Sequence, residues 1–187
     1  MQPIAYLTLL VLLAGCAAPT AQQPAQAIEQ PTIEVNNRGI DALLLEAGRT
    51  LPPRSTALLL EAAAIAMLEQ DYDLANRIVR AIESPYLSKD NIISYSLSHA
   101  KLALQQGDPT LAIGLLEDRR FQNLRLNTEN QIKAGLLRAR AYRMGRSYLA
   151  SARELIYIDR LIPSEQRLAN HEEIISTLLL LPEETLE

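Results

Sequence analysis

Apolar residues recur at three- and four-residue intervals along most of the chain from residue 39 onward, which is the spacing of one face of a helix. Short breakers rich in Gly, Pro, Asp and Ser separate these stretches. No segment alternates apolar and polar residues at period two, so the pattern predicts an all-α fold without a sheet. The predicted helices cover residues 39–49, 55–70, 73–82, 91–106, 110–118, 128–144, 147–159 and 164–180.

Residues that cap or interrupt helices predict several of these boundaries. Ser55 is expected to cap the second helix and Asp73 the third, because a short polar side chain can accept a bond from a free amide of the first turn. The third helix is expected to stop near Pro85. Pro182 is expected to begin a further helix, because its missing N–H does no harm at the first helical position.

The helices also repeat along the chain. A set of seven positions in the second and third helices recurs thirty-seven residues later: Leu60, Ala63, Ala66, Asp71, Leu74, Ala75 and Val79 return as Leu97, Ala100, Ala103, Asp108, Leu111, Ala112 and Leu116. A third copy is predicted about thirty-eight residues further on, at Ala141, Gly145, Leu149 and Ala150. In that alignment Arg138 stands where the first two copies have Ala63 and Ala100.

A repeat of this length with paired helices resembles the tetratricopeptide repeat. We therefore expect a TPR-like solenoid of antiparallel helix pairs, although the aromatic and tryptophan positions of the consensus are absent. The alternative is an ordinary helical bundle whose Ala-rich helices align by chance.

The start of the chain is typical of a bacterial lipoprotein signal. Residues 4–13 are almost purely apolar, which suits a signal-peptide core and is too short for the ~20 residues of a membrane-spanning helix. They end in Leu13-Ala14-Gly15-Cys16, which resembles a lipobox, and the single cysteine of the chain is the residue that would carry the lipid. The stretch departs from the usual pattern in one respect, since no Lys or Arg precedes it, and we expect either a misassigned start codon or the loss of a short basic segment. The alternative to a signal is a buried signal-like helix with a chance cysteine.

Three segments follow from this interpretation. Residues 1–15 are predicted to be the signal peptide and residues 16–36 a lipidated cysteine with a disordered tether rich in Ala, Gln and Pro. Residues 37–187 are predicted to form the helical repeat domain, truncated at its C-terminal end.

Catalytic and cofactor motifs are absent from the sequence. There is no Gly-rich phosphate loop and no nucleophile elbow, and His171 is followed by Glu172-Glu173 without the second histidine of a zinc protease motif. His99 is the only other histidine. The net charge of −4 argues against nucleic-acid binding. We therefore expect neither an enzyme nor a bound cofactor or metal.

Basic residues are concentrated between positions 119 and 153, where Glu129 is the only acidic residue. On a helical wheel the sixth predicted helix and the turn after it carry one broad basic arc, formed by Lys133, Arg140, Arg143 and Arg146. The arc is expected to lie opposite Ala134, Leu137, Ala141 and Met144. It is either a solvated helix face or a contact for an anionic partner, such as the carboxylates of peptidoglycan stems or an acidic protein. Arg138 falls among the apolar positions, where a charge needs a partner.

Lipobox, low-complexity tether and divergent helical repeats together resemble the N-terminal domain of the LpoA family of penicillin-binding protein activators. The local resemblance is carried by LLLEAAAIAMLEQDYDLANRIV at 58–79, ALQQGDPTLAIGLL at 103–116 and HEEIISTLLLLPEETL at 171–186. Members of that family continue into a C-terminal domain resembling a type I periplasmic binding protein, and we expect this chain to be a fragment or a truncated homologue without that domain.

The resemblance implies a regulator of peptidoglycan synthesis. It implies an outer-membrane protein, lipid-anchored on the periplasmic face, that reaches toward peptidoglycan and activates a class A penicillin-binding protein. Ala17, directly after the cysteine, suits outer-membrane sorting, since Asp is the usual retention signal at that position. The alternative is a TPR-type lipoprotein scaffold for outer-membrane protein assembly or for envelope hydrolases.

Overall fold

The computed structural model describes residues 39–82 and 87–182, and most of those residues lie in helices joined by short turns. None of the described residues lies in a β-strand, which confirms the predicted all-α fold. The helices, in chain order, are α1 (Ile40–Ala47), α2 (Arg54–Leu68), α3 (Tyr72–Arg80), α4 (Lys89–Gln105), α5 (Pro109–Leu116), α6 (Arg119–Gln122), α7 (Thr128–Met144), α8 (Tyr148–Asp159) and α9 (Ser164–Leu178).

The two predicted N-caps are wrong. Helix α2 begins after Pro53 with no side-chain cap, so Ser55 already lies inside its first turn. Helix α3 is capped by Asp71 rather than Asp73, because the Asp71 carboxylate accepts a bond of 2.9 Å from the Leu74 amide. Asp73 lies in the first turn, where its negative charge favours the positive end of the helix dipole.

Helix α6 was not predicted, because four residues are too few to show a helical period. Its buried Phe121, 1% exposed, packs into the core formed by α4, α5 and α7. The predicted stop at Pro85 lies outside the described residues, and so does the part of the predicted next helix that follows Pro182.

Packing follows the order of the chain. Three antiparallel pairs form: α2 with α3, α4 with α5, and α7 with α8. We call the two members of a pair its first and second helix. The second helix of each pair also packs on the helix that begins the next pair, or on α9 after the third pair. First helices also contact one another, α2 with α4 and α4 with α7. A bundle would bring helices distant in sequence together, whereas the main helix contacts of the described residues join consecutive helices or helices of consecutive pairs. The described residues therefore form the predicted solenoid-like stack of helix pairs.

The three pairs share one turn. Gln70, Gly107 and Arg146 adopt left-handed backbone angles, with φ of 63°, 78° and 59°. The next amide in each turn donates to the carbonyl five residues earlier, at 2.9 Å in the first two turns and 2.7 Å in the third. These bonds satisfy carbonyls that the helix end would leave free, as in a Schellman motif.

The shared turn corrects the register of the third repeat. Gly107 and Arg146 are thirty-nine residues apart, so the predicted offset of thirty-eight is wrong by one residue. The small residue equivalent to Ala63 and Ala100 is Ala139, which is 3% exposed, and not Arg138. Leu149, which the predicted alignment matches with Leu74 and Leu111, is 52% exposed. Gly145 suggests the offset of thirty-eight, but the left-handed residue of the turn is Arg146.

Candidate functional site

The basic residues predicted to share one face separate into two groups in the structure. Lys133 forms an ion pair with Glu129 one turn earlier on α7, and both side chains are more than half exposed. Arg146 lies in the exposed turn after α7. An exposed pair within one helix contributes at most about 0.5 kcal/mol. Lys133 and Arg146 therefore behave as parts of a solvated surface.

Arg140 and Arg143, in contrast, reach toward other helices. The Nη2 of Arg140 donates to Oε1 of Gln105 on α4 at 3.4 Å. The guanidinium of Arg143 forms an ion pair with the Glu173 carboxylate on α9. Two of the four predicted residues, Arg140 and Arg143, therefore line one pocket and contact side chains of α4 and α9, respectively.

A groove of about 550 Å³ lies beside these two arginines, between α7, α8 and α9. It exists because α7 and α9 do not pack closely, unlike the earlier first helices. Apart from the charged groups at its rim, its wall consists mainly of aliphatic carbon. The lining residues are Leu136, Ala139, Arg140, Arg143, Met144, Ser151, Leu155 and Glu173.

Met144 was predicted on the side opposite the arginines, and this is wrong. It lines the same groove as Arg140 and Arg143 and is 40% exposed. The prediction that Ala134 and Ala141 face away from the arginines is confirmed, since both are buried in the core of α4, α5 and α7.

A polar network lies between α7 and its neighbours. The Nε of Arg138 donates to Oε2 of Glu154 on α8 at 2.9 Å, and both side chains are largely covered, at 16% and 23% exposure. The predicted need of Arg138 for a partner is therefore confirmed. The Tyr142 hydroxyl donates to the Glu117 carboxylate at 2.7 Å. This bond, with partial burial, raises the pKa of Tyr142 to about 12.

The sequence missed the acidic partners Glu117, Glu154 and Glu173. Each lies sixteen to thirty residues from the side chain that it contacts. Periodicity within one helix assigns faces but not partners on other helices. The one available signal was Arg138, whose position among apolar residues required a carboxylate nearby.

A larger cavity of about 710 Å³ lies between α1, α2 and α3. Among the described residues, it is lined by apolar and hydroxyl side chains without a charged group. The groove at α7 is the better candidate, because it combines an apolar wall with groups that can recognise a charge.

The histidines are both engaged in local contacts. His99 Nδ1 lies 3.1 Å from the Tyr95 hydroxyl, and burial, followed by the charge of Arg80, lowers the pKa of His99. His171 Nε2 lies 3.0 Å from Oδ1 of Asp159. Within residues 39–82 and 87–182 no cluster of His, Cys, Asp and Glu has the arrangement of a metal site.

Two predicted features concern the membrane. Cys16 and the tether lie outside the described residues, so lipidation stays a prediction. Among the helices that the structure describes, none has the length and hydrophobicity needed to cross a bilayer.

Comparison with known sequences gives a family and a named relative. The sequence model of the family described as "LppC putative lipoprotein" matches residues 34–187. The penicillin-binding protein activator LpoA of Aliivibrio fischeri (strain ATCC 700601 / ES114) is 27% identical over 165 residues, which are 88% of this chain and 26% of the relative. The chain therefore spans about a quarter of the length of that relative.

Comparison with solved structures gives the same helical arrangement. A monoclinic crystal form of Haemophilus influenzae LpoA superposes with a TM-score of 0.54 and 14% sequence identity. The match covers 80% of this chain and 27% of the other. At this identity the likeness shows the fold.

Proposed function

The chain belongs to the LppC lipoprotein family, and from that membership we propose that it is an outer-membrane lipoprotein that regulates peptidoglycan synthesis. It acts by activating a class A penicillin-binding protein. The observation that carries the proposal is the match over residues 34–187, joined to a relative named as an activator of penicillin-binding proteins. Membership in such a family supports the role of a regulator rather than that of an enzyme.

Within that function the chain serves as the helical-repeat arm. Stacked helix pairs bury one another's small apolar faces and hold a fixed geometry, which suits a spacer between the outer membrane and the wall. The match covers 26% of the activator relative, so we assign the activating contact to the region that the relative has beyond the match. Peptidoglycan is the polymer that the arm approaches.

The anchor in this proposal is Cys16. Two or more acyl chains hold a protein stably on a bilayer, at ~0.8 kcal/mol per buried CH₂ group. A clickable fatty acid should label the wild-type protein in growing cells and leave Cys16→Ser unlabelled. Equal labelling of the serine variant contradicts the lipobox interpretation.

The partner is tested by affinity purification from solubilised envelopes. A tagged version of the chain that is extended by the region following the match in the activator relative should recover a class A penicillin-binding protein, and an unrelated tagged lipoprotein expressed at the same level should not. Recovery of barrel-assembly components or envelope hydrolases in place of a synthase supports the alternative scaffold function and contradicts the proposal.

A further inference from the structure

The groove between α7 and α9 has the surface of a binding site for an apolar ligand. Ala139 and Leu155, each 3% exposed, belong to its wall, whereas Leu136 and Met144 remain 47% and 40% exposed. Covering exposed aliphatic side chains next to a concave surface is favourable, at roughly 25 cal/mol per Å² of apolar area removed from water. A ligand that presents aliphatic groups therefore gains from lying in this groove.

Charged groups at the rim add a preference for anions. Arg140 contacts only the neutral amide of Gln105 among the described residues, at 3.4 Å. Arg143 is paired with Glu173, but the two side chains are 39% and 47% exposed, and exposed pairs are weak. A ligand carboxylate can replace Glu173 on Arg143 at little cost, because Glu173 then stays in water. Both arginines thus line the groove, and of the two it is Arg143 that pairs with the Glu173 carboxylate.

We propose that this groove binds an extended, acidic peptide segment of a partner protein. Aliphatic side chains of the segment lie over Leu136 and Met144, and a carboxylate between them is held by Arg140 and Arg143. Guanidinium forks match the two oxygens of a carboxylate. A glycan strand fits less well, because the aliphatic wall would remove water from its hydroxyl groups without offering hydrogen bonds. The inference goes beyond synthase activation and does not depend on it.

The test is fluorescence anisotropy with labelled heptapeptides and the folded, unlipidated chain. The peptide that alternates Leu and Glu should bind, and its Leu/Gln and Gly/Glu counterparts should bind at least about tenfold more weakly, since each lacks one of the two kinds of contact. Disaccharide-peptide fragments of peptidoglycan serve as the competing class of ligand. Equal binding of the Gly/Glu peptide, no binding of the Leu/Glu peptide, or tighter binding of the peptidoglycan fragments at this groove would overturn the proposal.

Variants locate the site. Arg140→Gln with Arg143→Gln should weaken binding of the Leu/Glu peptide about tenfold, as expected for two partly exposed ion pairs. Arg146→Gln with Arg153→Gln makes the same change of net charge outside the groove and should leave the affinity unchanged. Glu173→Gln should strengthen binding about twofold to fivefold by releasing Arg143. Equal losses in the two arginine double variants, or weaker binding by Glu173→Gln, contradict the assignment, provided that circular dichroism shows all variants folded.

Discussion

The first two helix pairs and the third share the same turn, but they differ in the cap of the second helix and in the side chains between the helices. In α2/α3 and α4/α5 an aspartate caps the second helix, Asp71 in one and Asp108 in the other, with bonds of 2.9 Å to amides of the first turn. The first helices of these pairs contact their neighbours through alanines such as Ala63 and Ala100, both fully buried. In both pairs, therefore, small apolar residues form the helix contacts and an aspartate caps the second helix.

The third pair, α7/α8, has the same turn but lacks the aspartate cap and has polar side chains between its helices. Ser147 stands where the aspartates stand and makes no side-chain cap bond. Tyr142 takes the place of Ala103 and bonds Glu117, and Arg138 with Glu154 puts an ion pair between the two helices. The comparison shows that a common turn and close helix contacts suffice to keep the repeat. The polar side chains, and the groove beside them, are features that the third pair has in addition to the shared turn.

The largest expected effect comes from a charge placed in the apolar repeats. Ala103 is 1% exposed, so Ala103→Asp buries an unpaired carboxylate and should lower the free energy of unfolding by at least about 3 kcal/mol. Its counterpart Tyr142 bonds an exposed carboxylate, so Tyr142→Phe should cost about 1 kcal/mol or less. Urea denaturation followed by circular dichroism measures both. Comparable losses would show that the third repeat is packed like the others.

The next effect concerns the approach of α7 to α8. A Cβ added at Gly135 would lie 2.3 Å from Cγ2 of Ile158, which is fully buried. Gly135→Ala should therefore cost about 1–3 kcal/mol through overpacking. Gly114→Ala is the matched control, because a Cβ there has no neighbour within 4 Å, and it should stabilise α5 by about 0.5–1 kcal/mol. A neutral Gly135→Ala would mean that the helices are further apart than described.

A smaller effect is expected from the ion pair within the third repeat. Arg138→Met leaves Glu154 without its partner while most of the carboxylate side chain is covered, and should cost about 1–2 kcal/mol after allowance for its partial exposure. Adding Glu154→Leu should recover most of that loss. Lys133→Met, which breaks the exposed pair with Glu129, should cost less than about 0.5 kcal/mol. A double variant less stable than Arg138→Met would show that Glu154 has other essential contacts.

The smallest effect comes from restoring the missing cap. The backbone of Ser147, with φ −89° and ψ 64°, is close to that of Asp71, with φ −81° and ψ 73°. Ser147→Asp should therefore place a carboxylate on the first free amides of α8 and stabilise the protein by about 0.5 kcal/mol. Asp108→Ala should cost about 1 kcal/mol in the same assay. If Ser147→Asp is destabilising, the third turn is not equivalent to the first two.

Much of this architecture could be predicted from the sequence, because helix faces and turns are local. Each of the eight helices predicted between residues 39 and 180 is present, and α7 has the predicted bounds of residues 128 and 144. The register of the third repeat could not be predicted, since the small residues Ala141 and Gly145 suggested an offset that only the backbone angle of Arg146 corrects. The groove also could not be predicted. It depends on how far α9 lies from α7, and Glu173 is thirty residues from its partner.

The central claim is that this chain is the arm of a penicillin-binding protein activator, with the activating contact outside it. The most direct measurement is the rate of glycan polymerisation and cross-linking by the class A synthase recovered from envelopes. That synthase is assayed alone, with the purified segment of residues 37–187, and with a complete activator of the family that acts on it. The account predicts strong stimulation by the complete activator and little or none by this chain. Stimulation by this chain as large as that by the complete activator would contradict the account and place the activating contact within the helical repeats.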